Sequence, residues 1–186
     1  MNAYLQQRKG GGADLFNSIR DNVFKPINMS QGGLTTLRTD NSANGKPFGS
    51  HGLFFTQDDI AKIGRLLNNH GGVINGSQVL EPIRLQESLF RTANPSTLGV
   101  AVPDIGTPVV PNTFHYHNGF WVKHMTSAEF PQLGCDIWAA FMSGYGGINV
   151  VLLPNGATYY IFSDGNEFVW YPAVIEINKI APLCHR

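Results

Sequence analysis

The chain holds 186 residues, 42% apolar and 14% charged, with thirteen basic residues balancing thirteen acidic ones. This composition excludes a disordered polymer, the length suits one domain with its own core, and the charge balance leaves no field to draw in nucleic acid or anionic lipid. No apolar run approaches the roughly 20 residues of a membrane span, so a soluble globular protein is expected.

Residues 1–12, with Gln6-Gln7 and Gly10-Gly-Gly12, read as a flexible segment and lack the apolar stretch of a secretory signal. Leu15, Phe16, Ile19 and Val23 recur at spacings of three and four, which predicts a short amphipathic helix from Ala13 to Val23, stopped at Lys25-Pro26. Ser30 to Ser50, rich in Gly, Ser, Thr and Asn, reads as loop.

The clearest helix signal begins at Thr56, an N-cap with Asp59 three residues on as in a capping box. Ile60, Ile63, Leu66 and Leu67 make its buried face, and Gly71 or Gly72 its left-handed stop. Val73 to Leu80 predicts a small hairpin turning on Asn75-Gly76, and a short helix is expected from Glu81-Pro82.

Ala93 to Asn112 reads as a proline- and glycine-rich connection. After it, Tyr116–Lys123, Asp136–Met142, Ile148–Leu153 and Ala157–Phe162 read as four strands of an antiparallel meander, the last two joined by a type I′ turn at Asn155-Gly156. Val174, Ile177 and Ile180 predict a terminal helix within Val169–Ile180, packed on one face of the sheet. Helix, helix, antiparallel strands, helix is an α+β order, the sheet flanked by helices. Cys135 and Cys184 read as buried free thiols, a bridge from a strand to the C-terminal segment being the alternative.

Three constellations bear on chemistry. His115 and His117 share a side of a strand and suggest zinc, but His124 lies at an odd offset that sends it to the other side, so packing histidines without a metal are expected. None of the ten serines sits in G-x-S-x-G, and none has lysine three residues later. Gly144-Tyr-Gly-Gly147 is either a bulge or close backbone approach, or a strand edge left bare for substrate with N–H groups directed at an oxyanion.

In order along the chain, LFNSIRDNVFKPINM (15–29) is similar to the "helix, then F-x-P-L-G-M" segment of the serine β-lactamase and penicillin-binding-protein-like hydrolases. That group includes class C β-lactamases, related esterases and 6-aminohexanoate-dimer hydrolases. HGLFFTQDDIAKIGRLL (51–67) resembles its G-G-L-x-S-T-A-x-D-L-A-R-F-G-x-L-L, and GGVINGSQVL (71–80) its G-G-x-x-x-G-x-x-L-L. NGFWV (118–122) resembles Y-G-Y-G-W-W-V, and GYGGINVV (144–151) falls where the family has its third motif, K-T-G, H-x-G or W-G-G.

The resemblance implies that residues 13–186 are the C-terminal part of such a hydrolase, with a partial β-lactamase/transpeptidase-like fold and no cofactor. It implies that Tyr145, Gly146 and Gly147 line the substrate cleft and that the Ile148 N–H completes an oxyanion hole. Tyrosine at 145, where β-lactamases have lysine, removes the cation that pairs with a β-lactam carboxylate and favours an ester, amide or peptide-like substrate.

The nucleophile motif S-x-x-K and the second motif Y-x-N lie, in the family, upstream of the matched segments. Tyr116-His-Asn118 and Ser42-Ala-Asn44 fit the letters of the second motif but follow the wrong landmarks. The chain is therefore expected to be inactive alone, to expose apolar surface around Phe120 and Trp121, and to have a missing N-terminal half as a partner. A non-catalytic binding domain of the same fold is the alternative, and a periplasmic or extracellular setting stays open.

Overall fold

The computed structural model describes residues 8, 14–41, 45–48, 52–102, 114–144, 146–163, 165 and 168–184, with backbone alone at 101–102. The predicted N-terminal segment 1–12 lies, apart from Arg8, outside them. The chain forms two compact units, one of Met1–Leu66 with Val73–Val79, the other of Leu67–Gly72 with Leu80–Arg186.

In the first unit, helix α1 (Leu15–Ile19) starts at Asp14, whose carboxylate accepts the Asn17 N–H at 2.6 Å, and runs into a wide π-helical turn, Arg20–Phe24, ahead of Pro26. Phe16 is buried and meets Phe24 edge-on, and Phe24 in turn meets Phe55. Residues 30–50, expected as loop, hold no α-helix or named strand among those described and are pinned by Arg38, whose guanidinium donates to Asp14, Asn17 and the Gly45 carbonyl.

Helix α2 (Gln57–Asn68) carries the predicted capping box. The Thr56 hydroxyl accepts the Asp59 N–H at 3.2 Å and the Asp59 carboxylate accepts the Thr56 N–H at 2.9 Å. Ile60 and Leu66 are buried on the predicted face. Both Gly71 and Gly72 are left-handed beyond its end. Strands β1 (Val73–Ile74) and β2 (Ser77–Gln78) form the expected hairpin, with positive φ at both Asn75 and Gly76.

In the second unit, helix α3 (Pro82–Ser88) begins where proline is tolerated, with Glu81 accepting the N–H groups of Ile83 and Arg84. A six-stranded antiparallel sheet comes next, its spatial order equal to chain order: β3 (Val100–Val102), β4 (Phe114–His117), β5 (Phe120–Met125), β6 (Ile137–Gly144), β7 (Ile148–Leu152) and β8 (Thr158–Ile161). Helix α4 (Tyr171–Ile180) closes the unit. The class is α+β, as predicted.

Three expectations about the sheet need correction. Tyr116–Lys123 is not one strand: Asn118 and Gly119, at φ 50° and 88°, turn the chain between β4 and β5, and the aromatic residues flanking them mask the break. The segment read as connection after Ala93 contains β3, an edge strand pairing Val100 with Tyr116. The turn after β7 is not type I′, because Pro154 holds φ near −65° at its first central position; Leu153 accepts the Gly156 N–H at 3.0 Å and only Gly156 is left-handed.

One face of the sheet carries the main core, in which Met125, Ile137, Ala139, Phe141 and Val151 pack with Trp170 and Val174 from the start of α4. The terminal helix covers a face as predicted, although Ile180 at its end is exposed. Val122, Ala140, Val150 and Leu152 on the opposite face are buried too, which explains why β7 is apolar on both sides. The free-thiol reading is overturned: Cys135 and Cys184 form a disulfide with their Cα atoms 6.0 Å apart. The C-terminal segment runs back to the start of β6, with Leu183 in the core, and this brings the sulfurs together.

Candidate functional site

The Gly144–Gly147 stretch closes the β6–β7 hairpin. Gly144 pairs with Ile148, and ahead of Ile148 Gly146 and Gly147 sit at φ 85° and 93°. Tyr145 lies outside the described residues. Among the described residues a Cβ built on Gly146 meets the Ser163 carbonyl alone, at an ordinary 3.6 Å, so left-handed backbone is what requires glycine there. Gly146→Ala is expected to cost about 1 kcal/mol, read as a lower melting temperature without a change in circular dichroism.

Ile148 heads β7 at the sheet's end. The β7–β8 register closes at Asn149↔Ile161, one residue short of it, and the Ile148 side chain is 38% exposed while the rest of β7 is buried. The three sequence-implied residues that can be placed, Gly146, Gly147 and Ile148, therefore meet at one hairpin mouth.

The histidines depart from the sequence reading. Because a two-residue turn separates β4 from β5, His115 pairs with Val122, and His124, two residues further along, returns to the same face as His115 and His117. The three stand in an aromatic cluster. Trp138 stacks on His124 at 4.2 Å and on Phe90 at 5.3 Å, and Phe90 lies edge-on to His115 and His117. The His115 Nδ1 is 3.0 Å from the Leu98 carbonyl. Burial pushes the His124 imidazole below its ordinary pKa, with Asp136, 3.8 Å away, acting against it. Among the described residues no group of three His, Cys, Asp or Glu side chains is arranged to hold a metal ion.

Sequence reasoning missed the centre of this cluster. Phe90 has φ 55°, with its N–H on the Glu87 carbonyl and the Arg91 N–H on the Gln86 carbonyl. That is a Schellman stop to α3 in which phenylalanine occupies the position where glycine is usual. The signal that reveals the cluster is Asn118-Gly119, since reading it as a turn puts all three histidines on one face.

Beside this turn lies a groove of about 400 Å³ with walls from Leu80, Leu85 and Phe120 and with Ser88 and Asn118 at its polar side. The Ser88 hydroxyl donates to the Arg84 carbonyl at 2.7 Å and receives the Asn118 amide at 3.2 Å. Ser30 and Ser127 likewise donate to Asp59 and Asp136 as structural partners. These three hydroxyls serve local structure and face no histidine or lysine base in these bonds.

Comparison with protein families, curated proteins and solved structures finds no match to this chain. What the site can do thus rests on its own geometry: a glycine turn at a sheet end can present backbone N–H groups to an acyl oxygen.

Proposed function

We propose that the chain is the sheet-bearing C-terminal portion of a β-lactamase-like serine hydrolase, a partial form of that fold. The observation that carries this reading is the β6–β7 hairpin, where Gly146 and Gly147 turn in left-handed conformation directly ahead of Ile148. In the complete enzyme a serine supplied from outside the matched segments would add to the acyl carbon of an ester, amide or peptide-like substrate. It would expel the leaving alcohol or amine, and water would then release the acid. The Ile148 N–H would hold the oxygen on which charge develops, a contact worth about 3 kcal/mol in such sites. The disulfide fits an oxidising compartment.

A second reading, a binding domain that keeps the fold without the chemistry, is favoured by the structural engagement of Ser30, Ser88 and Ser127. Incubating the 186-residue chain with a fluorophosphonate or a fluorescent penicillin is expected to leave every serine unlabelled, whereas labelling of one particular serine would overturn the expected silence. The two readings part at the DNA upstream of the Met1 codon: a reading frame encoding S-x-x-K and Y-x-N supports the hydrolase, and its absence supports the binding domain.

A further inference from the structure

A second cavity, of about 420 Å³, opens at the Cys135 end of β6. The strand runs from Ile137 to Gly144, so roughly 23 Å of extended chain separates this cavity from the glycine turn, and its chemistry is independent of the hydrolase reading. Arg91, Thr92 and Asp136 are its polar lining, the disulfide lies in its wall, and Trp138 and Leu183 are among its apolar residues.

Arg91 is partly buried. It donates to the Leu153 carbonyl at 2.8 Å, to the Asn68 carbonyl at 3.3 Å and to the Asn68 side-chain oxygen. All of these acceptors are neutral, and they engage three of the five N–H donors of a guanidinium. Burial is the cause that lowers its pKa, and among the described residues no carboxylate counters it. A partly desolvated guanidinium beside open volume, with donors to spare, is the arrangement in which a buried cation takes an external anion.

The rest of the lining selects the kind of anion. Asp136 is the acid there; its carboxylate accepts the Ser127 N–H at 2.7 Å and hydroxyl at 2.8 Å, and these bonds keep it ionised. A fixed negative charge in the cavity disfavours a dianion such as phosphate, and the apolar walls favour an organic body. We infer that this cavity binds a small organic monocarboxylate, with Arg91 pairing its carboxylate and Trp138 and Leu183 beside its apolar part.

Benzoate titrated into the ¹⁵N-labelled, oxidised chain tests this, with benzyl alcohol as the uncharged control. Saturable shifts of the Thr92, Ile137 and Leu183 amides and the Trp138 indole are expected with benzoate, and binding of benzyl alcohol at least about tenfold weaker, since a charge-assisted pair is lost. Arg91→Gln should weaken benzoate by a similar factor if its amide spectrum stays folded; if it does not fold, the comparison of the two ligands on the unaltered chain decides. No shifts at those residues at millimolar benzoate, equal binding of benzyl alcohol, or unchanged binding by a folded R91Q would each overturn the assignment.

Discussion

Asp59→Asn is expected to lower stability by about 3 kcal/mol, read as a drop in urea midpoint for the unit that contains α2. Asp59 has no exposed surface, and its carboxylate accepts the Ser30 N–H at 2.7 Å, the Ser30 hydroxyl at 2.5 Å, and the N–H and hydroxyl of Thr56 at 2.9 Å each. Asparagine would set an NH₂ against some of these donors, losing bonds to a charged acceptor and leaving buried donors unmatched. Burial alone would raise the pKa of Asp59, but the bonds from Ser30 and Thr56 outweigh it and hold the carboxyl down at about 2. The folded state thus favours the ionised form. This stabilisation is fully present above the ordinary carboxylate range and is lost as pH falls through about 2. The asparagine variant should lack that acid limb, and an unchanged midpoint together with an unchanged acid limb would show that the network contributes nothing.

Reducing the Cys135–Cys184 bond should cost roughly 4 kcal/mol, because the bridge closes a chain separation of 49 residues and most of its effect falls on the unfolded state. The measurement is the urea midpoint of oxidised and reduced chain, with free thiols counted to confirm reduction. Leu183 stays anchored by its N–H on the Asn178 side chain at 2.8 Å, so the reduced native state should keep its secondary structure and differ in midpoint. Coincident midpoints would show that the bridge adds no constraint.

How much of the molecule was legible in the sequence depended on the range of the interactions involved. The capping box, the Asn75-Gly76 hairpin, the proline-initiated α3 and the terminal helix were readable because each is fixed by residues within four positions of one another. Asn118-Gly119 carried the same local signal, but the neighbouring Tyr116, Phe120 and Trp121 satisfied a strand pattern straight through it, and the error put His124 on the wrong face. Asn155-Gly156 was a turn, though Pro154 changed its type. The glycines at 146 and 147 were legible as a special backbone site, but their φ values came only with the hairpin. The disulfide, the Phe90 cluster and Arg91 could not be read, because each joins residues far apart in the chain whose meeting depends on the completed sheet.

The identity between strand order and chain order has a kinetic meaning. From β4 to β8 the sheet grows by antiparallel neighbours, and three of the joins are short, at Asn118-Gly119, between the paired Gly144 and Ile148, and at 154–156. Each of these three pairings closes a short loop at small entropic cost, so those hairpins can form in the order a ribosome would deliver them. The cross-link at Cys184 is available only after the last helix has emerged, which makes it a lock applied to a finished sheet and not a step on which the sheet must wait.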